Sequence, residues 1–167
     1  SSDVCSSDLR RAAECNGATV DTGAGLPWLF NRRGIDPCMT EPKSKPIWVL
    51  YDGDADGLTA AFCAWLKLGD QANYVAVERG TEPPPMPGAA AVFILDFSYS
   101  RDEMEKLAGT IPMVQLLDHH RTAEAELGDL PYCEFDMKQS GCGLAWNYFW
   151  PDEPMPAFVA YVQDADL

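Results

Sequence analysis

Four short stretches of this chain carry carboxylates and imidazoles at spacings that can do chemistry. The first is Tyr51-Asp52-Gly53-Asp54-Ala55-Asp56-Gly57, where aspartates alternate with small residues. Glycines let such a turn bend tightly and let backbone approach a ligand. The second is Ile94-Leu95-Asp96-Phe97-Ser98. The third is Leu116-Leu117-Asp118-His119-His120-Arg121, which holds both histidines of the chain. The fourth is Val162-Gln163-Asp164-Ala165-Asp166-Leu167. Carboxylate oxygens with an imidazole suit manganese or magnesium better than zinc. Histidine also carries protons near neutral pH. A calcium loop of the EF-hand kind needs a bidentate Glu at its twelfth position. Counted from Asp52, that position is Cys63, which excludes it.

Each stretch alone has a plainer reading. A single Asp after a strand is often a turn residue or helix cap, although Ser98 or Ser100 can cap a helix starting near Arg101 and leave Asp96 free. Acidic helix ends such as Asp164 and Asp166 are usually solvated. Arg121, and Thr122 after it, can contact phosphate or lie in solvent. What links the stretches is the pattern that positions them. Apolar runs at 47–51, 90–95 and 113–117 read as buried strands, and each runs into an aspartate. Residues 74–77 and 133–137 read as shorter strands. Residues 58–68, 101–108, 141–149 and 157–162 read as helices, with Gly69 as a stop for the first, and 81–88 as a proline-rich loop. Strands alternating with helices predict an α/β fold, a Rossmann-like parallel sheet flanked by helices on both faces. Ligands bind such sheets beyond the carboxyl ends of the strands, where Asp52, Asp54, Asp56, Asp96 and Asp118 would gather. Two carboxylates ~4 Å apart repel by about 4 kcal/mol at an effective dielectric of 20. Such a rim needs cations or raised pKa values.

The ordered set of an Asp-x-Asp-Gly turn, an Asp after a strand, Asp-His-His after a strand and a later Asp resembles the DHH phosphoesterase superfamily. That superfamily includes RecJ-like exonucleases, small-oligonucleotide and cyclic-dinucleotide hydrolases, and manganese pyrophosphatases. The resemblance covers about residues 47–167. The runs Ser140-Gly141-Cys142-Gly143-Leu144-Ala145-Trp146 and Tyr161–Leu167 look like its bacterial and phage branch. It implies a site of two manganese ions, with magnesium as the alternative. By position, Asp54 and Asp56 would hold one ion, Asp96 would bridge both, and His119 and Asp164 would complete the second. His120 would touch the scissile phosphate or protonate the leaving group, Asp118 would orient a histidine, and Arg121 would help stabilise the transition state. Many members open the first motif with a histidine. This chain has Leu50-Tyr51-Asp52 there, so that either Asp52 substitutes as an oxygen ligand or the first metal is weakly held. The implied reaction is hydrolysis of phosphodiester or phosphomonoester bonds in nucleotides or short oligonucleotides. The alternatives are a pyrophosphatase or small-nucleotide phosphatase, a metal- or nucleotide-binding module without catalysis, and a plain α/β domain with solvated acidic turns.

Composition narrows the partners. The formal net charge of −14 argues against a broad duplex nucleic-acid surface. No uninterrupted apolar stretch approaches the ~18 residues of a membrane span, and no secretory signal is evident, so a cytoplasmic location is expected. The oligomeric state is left open. The six cysteines form no C-x-x-C pair, and Cys63 and Cys142 read as buried reduced thiols. Trp48, Trp65, Trp146 and Trp150 lie in apolar runs and read as core rather than as base-stacking platforms. Residues 1–38 read as an artefactual or disordered leader, because Ser-Ser-Asp recurs within SSDVCSSDL like a translated sequencing adapter. Met39 then reads as the true start of a DHH domain over 39–167, truncated before a smaller substrate-binding domain.

Overall fold

The apolar run after Pro46 forms the first strand, β1 (Ile47–Asp52), in a computed structural model that describes residues 46–167. The leader at 1–38 and the start at Met39 lie outside the described residues. From β1 the chain runs through α1 (Ala55–Leu68), β2 (Ala72–Val77), β3 (Ala91–Leu95), α2 (Arg101–Thr110), β4 (Met113–Asp118), α3 (Arg121–Leu127), β5 (Cys133–Phe135), α4 (Gly141–Phe149) and α5 (Ala157–Asp166). The strands form one parallel sheet in the order β2-β1-β3-β4-β5. It is the expected α/β fold.

Strand alternation sends side chains to two cores. Val49, Phe93, Leu95 and Leu117 pack with Ala60, Ala64, Leu144, Trp146 and Val159, from α1, α4 and α5. Leu50, Val92, Ile94 and Leu116 pack on the other face with Met104, Leu107 and Leu127, from α2 and α3. Burial on both faces is why these strands read as continuous apolar runs. The chain leaves β1 for β2 on one side, then returns past β1 to β3 on the other. The order therefore reverses between β1 and β3, where Asp52 ends the first strand and Asp96 directly follows the second. That is where doubly wound sheets bind ligands.

Several boundaries differ from those predicted. α1 begins at Ala55, not Leu58, because Asp54 caps it by accepting from Gly57 N at 2.9 Å. A Cβ at Gly57 would lie 2.3 Å from the Asp52 carbonyl oxygen, so glycine is what lets α1 start this close to β1. Ser100 caps α2, with Glu103 accepting from its N and Oγ at 3.3 and 3.0 Å. Helix α3 was not expected, since it buries only Ala123 and Leu127. Cys63 and Cys142 are buried and free. Trp65 corrects the core reading: it is 46% exposed and stacks on Phe62 on the outer side of α1.

Candidate metal centre

Asp96 is the hub of the rim. It directly follows β3, is 1% exposed and sits at φ +66, a left-handed conformation that few non-glycine residues adopt. Neither carboxylate oxygen has a hydrogen-bond partner. Burial first, then the charges of Asp56 and Asp54, push its pKa up to about 10. His119 Nε2 lies 3.2 Å from Asp96 Oδ1, without hydrogen-bond geometry, and 3.8 Å from Asp56 Oδ2. A buried carboxyl held in strained backbone with both oxygens idle is costly in a resting fold.

Asp56, in the first turn of α1, is buried to nearly the same degree, but both of its oxygens accept hydrogen bonds. Its Oδ1 accepts from Ser140 Oγ at 2.8 Å and Cys142 N at 3.0 Å, and its Oδ2 accepts from Gly141 N at 2.6 Å. These donors are the N-cap and first turn of α4, whose dipole favours a negative charge there. Asp56 thus ties α1 to α4 and keeps one lone-pair direction for the cluster. Gly141 makes room for this arrangement, since a Cβ there would lie 2.4 Å from Asp96 Cβ. Gly141→Ala is expected to cost about 1–3 kcal/mol of stability. Urea unfolding measures it, and an unchanged midpoint would mean that Asp96 moves aside freely.

Asp118, fully buried at the end of β4, holds the histidine pair. Its Oδ1 accepts from His119 N at 2.7 Å and His120 N at 3.3 Å, and bonds His120 Nδ1 at 2.6 Å. That bond puts the Nδ1 hydrogen toward Asp118 and turns Nε2 outward. The Asp118 bond also raises the His120 pKa, against burial and nearby Arg79, which lower it.

The remaining expected residues divide. Asp52, Asp54 and Asp96 offer ligand atoms within 4.8 Å of one another, as do Asp56, His119 and Asp166, and Asp96, His119 and His120. Asp164 is exposed and outside these groups. Asp166 brings Oδ2 to 3.4 Å from His119 Nε2 instead. Two residues apart on a helix point about 200° apart around its axis, so only one of the pair faces the site. Burial and Asp56 raise the Asp166 pKa. Arg121 is exposed at the start of α3 and does not line the adjoining pocket. Among the described residues the cation bonded into the site is Arg79, from the loop after β2, where the sequence carries no motif. It bonds Asp52 and puts Nη1 3.2 Å from His120 Nε2. A pocket of about 160 Å³ beside it is lined by Arg79, Ser98, His120 and Thr122 among others.

Fold and site together define a doubly wound parallel α/β domain with an acid and histidine rim at its switch point. No family model matches the chain. An uncharacterized protein of Acanthamoeba polyphaga mimivirus is 38% identical over 137 residues, covering 71% of this chain and 32% of the viral protein. The chain therefore spans about a third of that relative's length. The crystal structure of an uncharacterized Helicobacter pylori protein is similar with a TM-score of 0.49 and 12% identity, over 71% of this chain and 40% of that one.

Proposed function

We propose that this chain is a DHH-type, metal-dependent phosphoesterase domain that hydrolyses phosphodiester or phosphomonoester bonds of nucleotides or short oligonucleotides. The observation that carries the reading is Asp96, whose two buried oxygens lack partners and face His119 and two further acids. A divalent ion satisfies such oxygens, and the set Asp56, Asp96, His119 and Asp166 has the donors that manganese or magnesium prefers. The residues present fit the ion. A bound divalent ion lowers the pKa of water and offsets charge on phosphoryl oxygens.

The chain's own groups supply the rest. Asp118 holds His120 so that Nε2 faces the pocket that Arg79, Ser98 and Thr122 also line. A substrate phosphate there meets a guanidinium and two hydroxyls. Asp118 raises the His120 pKa, and Nε2 accepts from Arg79 Nη1 at rest, so His120 would serve the leaving oxygen as an acid after taking up a second proton at Nε2 and releasing the Arg79 contact. Asp56 keeps α4 against the site. A cytoplasmic location accords with the free thiols of Cys63, Cys133 and Cys142. Among the described residues no helix is long and apolar enough to cross a membrane.

Calorimetric titration of manganese tests the reading. Binding is expected in the parent and strongly reduced in His119→Ala and Asp96→Ala. The melting temperature should rise more with millimolar manganese than with magnesium. A folded parent that binds neither ion would refute the metal centre.

A further inference from the structure

We infer that Arg79 takes the place of a second metal ion, so that this site binds one divalent cation where the family resemblance implies two. The inference rests on the metal-centre reading above and sharpens it.

The possible ligands fall into three overlapping groups: Asp52, Asp54 and Asp96; Asp96, His119 and His120; and Asp56, His119 and Asp166. Among the described residues, Arg79 is the cation bonded within the first group, and it also reaches His120 of the second. Val77, the last residue of β2, pairs with Asp52, the last residue of β1. The loop that follows therefore starts beside the first acidic turn. From it Arg79 places both Nε and Nη2 on Asp52 Oδ2, with Nη2 3.8 Å from Asp54 Oδ2 and Nη1 3.2 Å from His120 Nε2. The other oxygens of the two acids are engaged locally: Asp52 Oδ1 accepts from Gly53 N at 2.8 Å, and Asp54 Oδ1 from Gly57 N at 2.9 Å.

A guanidinium in this position does electrostatically what an ion would do for Asp52 and Asp54. It keeps its charge at any working pH, and its fork matches a carboxylate. A divalent ion entering the same group would have to break the Asp52 pair and then sit beside the displaced positive charge. The sequence departs from the family pattern at the same point. The first motif has Asp52 beside Leu50 and Tyr51 where many members have a histidine ligand. A neutral imidazole would ligate metal without attracting an arginine, whereas the carboxylate of Asp52 recruits one. Arg79 makes no hydrogen bond or ion pair with Asp56, His119 or Asp166, so that group remains open to an ion.

Manganese content separates the possibilities. The parent, Arg79→Met, Arg79→Gln and Arg79→Lys are each dialysed against manganese. Ions per chain are counted by elemental analysis, and the bound manganese is examined by electron paramagnetic resonance. The expected result is one ion in the parent and in Arg79→Lys, with the six-line spectrum of an isolated manganese. Arg79→Met and Arg79→Gln should hold two, with the spectrum broadened by coupling between them, and the second should bind at least tenfold more tightly than in the parent. Two ions in the parent would overturn the inference and leave the metal centre standing. One ion in all four proteins would also overturn it, since Arg79 would not be what excludes the second. None in the parent would remove the underlying reading, which keeps the two failures apart.

Discussion

Asp96→Asn should make the metal-free protein more stable, while abolishing its stabilisation by manganese. In the parent, burial and the charges of Asp56 and Asp54 push the Asp96 pKa up to about 10 from 3.8. Between those values the folded state keeps a proton that the unfolded chain releases, so stability falls as pH rises through the window. At pH 7 the loss is on the order of 4 kcal/mol, from 1.36 kcal/mol per unit over roughly three units. An amide cannot ionise, so the variant escapes this loss. Asparagine also tolerates the left-handed backbone that Asp96 adopts at φ +66. Urea unfolding in chelator at pH 5, 7 and 9 should show the parent weakening with pH and the variant weakening much less, with the raised His120 and Asp166 pKa values accounting for the slope that stays. With manganese present the order should reverse, because only the carboxylate ligates well. A variant less stable than the parent in chelator would mean that Asp96 is satisfied in the resting fold, and the principal support for the metal centre would be gone.

The sequence shows most clearly what is local and repeated. Runs such as Ile47–Tyr51 and Met113–Leu117 must be buried on both faces, and each ends in an acid at the rim. The doubly wound sheet and the gathering of Asp52, Asp96 and Asp118 follow from that pattern. What the pattern hides depends on contacts between distant residues. Arg79 lies in a loop with no motif around it, and its meaning comes from Asp52, 27 residues away. Asp56 looks like a ligand in sequence, yet most of its bonding goes to Ser140, Gly141 and Cys142 across the fold. Asp164 and Asp166 are equivalent in a string of letters, and only the rotation of α5 decides which faces His119. Helix α3 has no visible sequence pattern because its apolar signal reduces to Ala123 and Leu127. Trp65 reads as core in the sequence because α1 is apolar nearly all round, with Leu58, Phe62 and Leu66 also exposed.

Asp56→Ala should do the opposite of Asp96→Asn and destabilise the protein severely. The two carboxyls are buried to nearly the same degree, at 2% and 1% exposure, so burial alone predicts the same sign for both. Partners decide the difference. Asp56 accepts from Ser140 Oγ, Gly141 N and Cys142 N at the start of α4, and removing it leaves the two backbone donors buried and unpaired and Ser140 Oγ with only Cys142 Sγ as an outlet. Each orphaned donor costs about 1–3 kcal/mol, and the favourable charge at the helix N-terminus is lost as well. Removing Asp56 also relieves Asp96 of its strongest charged neighbour, which offsets part of the damage. The donors outweigh that relief, and the net loss should be about 3–5 kcal/mol. A domain of ordinary stability holds only about 5–15 kcal/mol in all. The double variant Asp56→Ala, Asp96→Asn tests the coupling. Once Asp56 is gone, less of the Asp96 penalty remains for the amide to remove, so the stabilisation by Asp96→Asn should shrink clearly. Strict additivity in urea unfolding would mean that the two carboxyls do not share one electrostatic site.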